Sequence, residues 1–218
     1  NRKSKKRWEQ ISTLLTNQGI QFSFAFTAYS KHEFELVQQA INNGFTKIIS
    51  VGGDGTLHHI VNGIMSQNSV KTTTIQLAVI PIGTGNDWVK TYNIPTNIEK
   101  SILMIKTGTT ILQDIGTLQT ENHDTIFFNN VAGIGYDGYV VHKLNTLKKF
   151  GKIAYLLSGL SGLIFYKKSP FKLEFNNQVV TEKCLMTIFG ICKFSGGGMQ
   201  FTKDVDTTDG LLDITIAK

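Results

Sequence analysis

An apolar β-branched run that ends in glycines and passes straight into a helical pattern constrains this chain more than any other feature. Ile48-Ile49-Ser50-Val51 leads into Gly52-Gly53-Asp54-Gly55-Thr56, and Leu57, Val61 and Ile64 then recur at helical spacing. Strand, glycine turn and helix start in that order aim free backbone N–H groups and the positive end of a helix at one point, which suits a phosphate. Gly52, Gly53 and Gly55 permit positive φ and close approach of a ligand to the backbone, where a Cβ would obstruct both. Asp54 is the exception within an anion site. Its carboxylate repels a phosphate unless a cation stands between them, so Mg²⁺ is implied.

A second loop repeats the logic. The apolar run at 75–80 leads into Pro81-Ile82-Gly83-Thr84-Gly85-Asn86-Asp87, with glycines for tight backbone, a hydroxyl and an amide for polar contacts, and another carboxylate. Two such loops at adjacent strand ends suit a ligand crevice at the carboxyl edge of a parallel sheet. Neither is a Walker A sequence or Gly-x-Gly-x-x-Gly, so the standard P-loop and dinucleotide readings lose ground. One glycine turn is equally well a tight connection, whereas two that each carry Asp and Thr argue for a site.

The rest of residues 1–110 alternates in the same way. Trp8, Ile11, Leu14 and Leu15 predict a helix that stops at Gly19, and 20–26 favours a strand. Phe34, Val37 and Ile41 predict a second helix with Gly44 beyond its end, and 47–51 and 75–80 read as buried parallel strands. Helices covering a parallel sheet follow. From about residue 111 short strand-like runs dominate, at 111–118, 125–132, 171–175, 185–192 and 211–217, interrupted by one helical segment at about 148–166. That texture predicts a mainly antiparallel β domain, and the boundary is expected near Thr107-Gly108, dividing the chain into 1–108 and 109–218.

The 218 residues, 41% hydrophobic, suffice for a sizeable core. Net charge is +6, and residues 1–110 carry 11 Lys/Arg against 6 Asp/Glu while 111–218 carry 11 against 10, so the excess lies in the first half. Arg2, Lys3, Lys5, Lys6 and Arg7 crowd the first helix, where they read as a solvated end or an attraction for phosphate or anionic lipid. Without interleaved aromatics they do not suggest nucleic acid. Cys184 and Cys192 stand apart from any metal-ligand spacing and are expected as buried free thiols in strands. His58 and His59 are adjacent on a predicted helix and point about 100° apart, so they do not chelate together and read as a polar face. The longest weakly polar stretch, 153–166, is 14 residues and is broken by Ser158, Gly159, Ser161 and Gly162. A membrane span needs about 20. With no cationic start followed by an apolar run and a small-residue cleavage site, the chain is expected to be cytoplasmic.

At the two loops the sequence resembles the diacylglycerol kinase catalytic family, which includes bacterial lipid kinases and the sphingosine and ceramide kinases. Gly-Gly-Asp-Gly-Thr at 52–56 is shared with NAD kinases and phosphofructokinases, while Pro-x-Gly-Thr-Gly-Asn-Asp at 81–87 is the sharper mark. Further matches are Phe128-Asn129-Asn130-Val131-Ala132-Gly133-Ile134-Gly135-Tyr136-Asp137, Ser195-Gly196-Gly197-Gly198-Met199 and Asp209-Gly210-Leu211-Leu212-Asp213. The resemblance implies an N-terminal parallel α/β nucleotide-binding domain followed by a C-terminal mainly antiparallel β-sandwich. It implies transfer of the γ-phosphate of ATP to a lipid hydroxyl. Thr27, Gly52, Gly53, Asp54, Gly55, Thr56, Gly83, Thr84, Gly85 and Asn86 would hold nucleotide, and Asp54, Asp87 and Asp114 would hold catalytic Mg²⁺ through waters. A structural Mg²⁺ would use Asp206, Asp209 and the Leu211 carbonyl, against the plainer reading of a solvated acidic turn.

Members of the family begin with a strand and an Asn-Pro-rich glycine loop ahead of the helix expected at 3–17, and continue past Asp213 to an acidic general base. Neither lies between Asn1 and Lys218, so the resemblance implies a fragment, an unmatched sheet edge and no catalytic residue assigned within this chain. Loss of a general base costs about 10²–10⁴-fold in rate. The implied partner is a lipid substrate at a membrane surface, met by peripheral association. The segment 148–168, whose apolar centre is bracketed by Lys148, Lys149, Lys152, Lys167 and Lys168, is open to reading as a membrane-facing surface or as core with solvated lysine ends. Oligomeric state stays open, a homodimer included. The alternatives are a kinase of a soluble substrate, as in NAD kinases, and a nucleotide-binding module without catalysis.

Overall fold

In the computed structural model, which describes residues 2–121, 123–136, 138–139 and 166–218, the expected helical periods become α1 (Arg2–Asn17), α2 (His32–Asn42) and α3 (Asp54–Met65). The first two end as their glycines predict. Gly19 and Gly44 adopt φ +71° and +85°. Around them Ile20 N–H donates to Leu15 O and Phe45 N–H to Ala40 O, both at 3.0 Å, closing the last turn on orphan carbonyls.

The strands β1 (Lys47–Gly52) and β2 (Gln76–Pro81) pair in parallel, from Lys47 opposite Gln76 to Gly52 opposite Pro81. Their side chains alternate between two helical layers. Ile49, Val51 and Ile80 face Ile11 and Leu15 of α1 and Ile102 of α5 (Ile98–Thr107), while Ile48 and Leu77 face Val37 and Ile41 of α2 and Ile60 and Ile64 of α3. Each such aliphatic side chain contributes about 1.5–3 kcal/mol on full burial and less where it is partly buried, so both faces of the sheet stabilise the fold. Two helices were absent from the sequence expectation. The short α4 (Asp87–Thr91) follows the second glycine loop, and α5 starts at Asn97, whose side chain accepts from Lys100 N–H. The Asn97 cap ahead of Ile98, Ile102 and Ile105 is the signal that would have found α5.

Residues 20–26, expected as a strand, join no ladder. Strand propensity takes effect only where a neighbouring strand completes a ladder, and 20–26 is assigned no strand. Its two-residue alternation survives, for the rings of Phe22, Phe24 and Phe26 all meet Trp8, at centroid distances of 5.7, 4.7 and 5.9 Å.

The later runs form short antiparallel strands. β3 (Gly116–Thr120) pairs with β4 (His123–Phe128); β5 (Val131–Gly135), β8 (Met186–Gly190) and β11 (Asp213–Ala217) form a three-stranded sheet in the order β11-β8-β5; β6 (Ser169–Phe175) pairs with β7 (Gln178–Cys184). The strands β9 (Phe194–Ser195) and β10 (Met199–Gln200) are two residues each. β7 was missed by the sequence reading, although Asn176-Asn177, with φ 46° and 61°, is a left-handed pair of the kind that closes a two-residue hairpin. Cys184 ends β7, but Cys192 lies in a bend rather than a strand; both thiols are free and buried. The helical segment expected at 148–166 lies outside the described residues apart from Tyr166, as do all the bracketing lysines except Lys167 and Lys168. No helix among the described residues is long and apolar enough to cross a membrane.

Packing divides the chain into two units. The first comprises Asn1–Asn130 and Ile191–Leu211, and the second comprises Val131–Gly190 and Leu212–Lys218. The first unit is therefore discontinuous in sequence, and 191–211 return to it.

Candidate active site

Because β1 and β2 run parallel and in register, Gly52 and Pro81 end side by side and both glycine loops leave the same sheet edge. Ile82 N–H donates to Gly52 O at 2.9 Å, which continues the pairing one residue into the second loop. Beyond it the two backbones touch. A Cβ on Gly83 would sit 2.5 Å from the Gly53 Cα and 2.7 Å from the Asn86 Oδ1, so the contact exists only because both positions are glycine.

Asp54, the first residue of α3, reaches across to the other loop. Its Oδ1 accepts from Asp87 N–H at 2.9 Å and from Trp88 N–H at 3.2 Å, so it supplies the N-terminal cap that Asn86, held in a left-handed conformation at φ 51°, does not. Asn86 instead turns back and donates from Nδ2 to Gly83 O at 3.0 Å. Its Oδ1 is buried without a hydrogen-bond partner.

The Asp87 side chain is 8% exposed, and its carboxylate is engaged on both oxygens. Oδ1 accepts from Lys90 Nζ at 2.5 Å, and Oδ2 accepts from Gly197 N–H at 2.7 Å. Asp114 is held at 191–211 as well, for its N–H donates to Thr207 O at 2.8 Å and its Oδ2 accepts from Gly210 N–H at 2.7 Å. Behind these groups the Asn62 amide, on α3, both donates to Phe127 O at 2.8 Å and accepts from Phe127 N–H at 2.9 Å, fastening β4 to the helix that begins at Asp54.

The remaining sequence candidates differ in how closely they join this centre. The Thr56 side chain lies over Gly52, where a Cβ would come within 2.6 Å of its Oγ1. Gly55 has open space around it and Thr84 is exposed. Thr27 is half-buried, near the end of the irregular segment 20–28. In the acidic turn, Asp206 Oδ1 accepts from both the N–H and the hydroxyl of Thr208, which holds its carboxyl below the ordinary carboxylate range, and Asp209 Oδ1 accepts from Leu211 N–H at 2.9 Å. His58 is half-buried rather than on a solvated face, and burial first, then His59 and Lys31, lowers its pKa below 6.5. Sequence reasoning missed Lys90, Asn62 and Gln113, and it gave Gly197 only as part of the motif at 195–199, with no role. Of the three missed, only Lys90 carried a local signal, a cation three residues after Asp87 on a helix.

Residues 1–118 match the model of the diacylglycerol kinase catalytic domain. The chain belongs to the diacylglycerol kinase catalytic domain family. Residues 130–218 match the model of the YegS C-terminal NAD kinase beta sandwich-like domain. A diacylglycerol kinase of Mycobacterium tuberculosis (strain ATCC 25618 / H37Rv) is 29% identical over 186 residues, covering 84% of this chain and 58% of the relative. One of Bacillus subtilis (strain 168) is 28% identical over 221 residues, covering 98% of this chain and 69% of the relative. Against the crystal structure of a diacylglycerol kinase from Bacillus anthracis str. Sterne the TM-score is 0.75 at 25% identity, over 98% of this chain and 68% of that one. The chain thus spans 58% to 69% of the length of these curated relatives.

The diacylglycerol kinase family implies a nucleotide and Mg²⁺, and the residues present fit both. For a nucleotide there are the glycine contact between the loops, the amides that precede Leu57 at the start of α3, and the unpartnered Asn86 Oδ1. For the metal, a Cβ on Gly85 would lie 3.0 Å from Asp54 Oδ2 and 3.8 Å from Asp87 Oδ2, so two carboxylates border one point. No group of three or more His, Cys, Asp or Glu is close enough to cage a metal among the described residues. Mg²⁺ suits such a thin donor set, since it keeps several waters and takes one or two carboxylates together with substrate phosphates.

Proposed function

We propose that the protein to which this chain belongs is an ATP-dependent lipid kinase that transfers the γ-phosphate of ATP to a lipid hydroxyl, with diacylglycerol or a related lipid as acceptor. The observation that carries the reading is the join made by Asp54, which opens the helix after one glycine loop and caps the helix after the other. A single carboxylate thereby ties both candidate phosphate loops together. In this reading Gly52, Gly53, Gly55, Thr56, Gly83, Thr84, Gly85 and Asn86 hold the nucleotide, with Thr27 at its periphery. Asp54, Asp87 and Asp114 would hold Mg²⁺ through waters, where the metal would supply positive charge against the phosphates; in the transfer the acceptor oxygen bonds to phosphorus and the bond to the β,γ-bridging oxygen breaks. Asp206, Asp209 and the Leu211 carbonyl hold a second, structural Mg²⁺. The hydroxyl proton passes to a base that is not assigned to a residue of this chain. The enzyme works in the cytoplasm and meets its lipid at the membrane surface.

The reading is tested with the full-length protein, Mg·ATP labelled at the γ-phosphate, and mixed micelles of diacylglycerol, sphingosine, ceramide or phosphatidylglycerol. Labelled lipid that is lost in Asp54→Asn is the expected result and names the acceptor. ATP binding with no labelled lipid of any class overturns the lipid-kinase reading in favour of a soluble acceptor or a binding module.

A further inference from the structure

The position of Asp87 depends on ties from outside its own helix, because α4 is five residues long and too short to be stable alone. Asp54 fastens its first turn. Gly197 N–H holds the Asp87 carboxylate itself, and a further tie is Gln113. Its Oε1 accepts from Trp88 Nε1 at 2.8 Å and from the Tyr92 hydroxyl at 2.7 Å, and these two side chains are i and i+4 on one face of α4 and its end. Its Nε2 donates to Asn129 O at 2.7 Å and to Asp114 O at 3.2 Å. A primary amide has two acceptor sites and two N–H donors, and all four are used. Trp88 follows Asp87 and Gln113 precedes Asp114, so one side chain joins the two stretches of backbone that carry these carboxylates.

We propose that Gln113 is a positioning residue that sets the separation of Asp87 and Asp114, and with it the affinity of the pair for one hydrated Mg²⁺. The inference rests on the reading of Asp87 and Asp114 given under the proposed function. Gln113 spends its amide on four protein partners and is not among the residues read as holding nucleotide or metal. It acts by holding α4 against the chain at 113–114 and 129, and an apolar side chain of the same length leaves four partner groups without it.

The test is Mn²⁺ binding to the full-length protein, Mn²⁺ standing in for Mg²⁺, with Asp206→Asn and Asp209→Asn present throughout to remove the second proposed metal site, in an otherwise wild-type chain and with Gln113→Met, Tyr92→Phe or Asp87→Asn added. Nucleotide affinity is measured alongside in the absence of divalent metal. Removing a group that orients metal ligands typically costs about 10–100-fold in metal affinity. Gln113→Met is expected to lose about that much while its metal-free nucleotide affinity stays at the wild-type value, and its Trp88 indole N–H resonance is expected to shift. Tyr92→Phe, which removes one bond and keeps the fold, is expected to weaken Mn²⁺ binding in the same direction by less, and it decides the matter if Gln113→Met does not fold. Wild-type Mn²⁺ affinity in a folded Gln113→Met or in Tyr92→Phe overturns the proposal, as does an equal loss of metal and nucleotide affinity. If Asp87→Asn loses Mn²⁺ while the Gln113 and Tyr92 variants do not, only the role of Gln113 falls; if Asp87→Asn also binds normally, the carboxylate reading beneath it falls too.

Discussion

Asp54 illustrates how one side chain is asked to do two things. The charge that repels a phosphate at the start of α3 is also the acceptor that caps α4, through Asp87 N–H and Trp88 N–H. Loss of activity in Asp54→Ala alone would therefore mix chemistry with stability. Asp54→Ala is expected to cost about 1–2 kcal/mol, the usual range for deleting a cap, because two amide donors are left behind. Asp54→Asn keeps an oxygen acceptor and is expected to retain most of that stability while losing phosphoryl transfer as fully as the alanine variant. Urea unfolding beside the transfer assay separates the two, and an asparagine variant as unstable as the alanine one would show that the charge, not the acceptor, holds α4. The glycine loops were legible as a site because their chemistry is local. Gln113 and Asn62 were not, since a lone polar side chain acquires a role only from what folds against it.

At the level of elements, α2 and α3 approach so closely that Gly63 has no room for a side chain. A Cβ there would lie 2.3 Å from Val37 Cγ1 and 2.7 Å from Phe34 O. Helix propensity favours Gly63→Ala by about 1 kcal/mol, whereas overpacking typically costs about 1–3 kcal/mol. The obstacle includes backbone, so packing is expected to win and the thermal midpoint to fall; a rise would mean that α2 moves aside without cost. Helices α1 to α3 were readable because an apolar stripe at a period of 3.6 needs only one sheet face to cover it. The segment 20–26 was misread for the opposite reason, as its alternation is met by packing on Trp8 rather than by a partner strand.

For the molecule as a whole, buried titratable groups bound the pH range of stability. Burial lowers the pKa of His58 below 6.5, so the folded state holds that proton less tightly than the unfolded chain, and the stabilisation present above pH 6.5 is lost as pH falls below it. Burial pushes the Cys192 thiol from 9.0 up to about 11, so the folded state keeps its proton, and that stabilisation is full below pH 9 and lost as pH rises toward about 11. Tyr92, raised above 10.0 chiefly by burial, extends the alkaline decline. Urea midpoints measured across this range should form a plateau between about pH 6.5 and 9. Cys192→Ala should flatten the limb from 9 upward and leave the Tyr92 decline above 10, and a wild-type midpoint that does not change from pH 9 to 11 would sink the assignment.

The sequence by itself determined what is written in consecutive residues: strand, glycine turn and helix start at 48–64, strand and glycine turn at 77–87, the amphipathic periods of α1 to α3, and the family those loops mark. Hydrophobic period and backbone sterics act over a few residues, so a reader of the chain can follow them. Only the tertiary structure decided which distant groups meet: that Asp54 caps α4, that Gly197 N–H and Gly210 N–H reach Asp87 and Asp114, and that 191–211 pack with 1–130. Those pairings depend on the parallel register of β1 and β2 and on the return of a segment more than a hundred residues after Asp87. Local propensity carries no information about either.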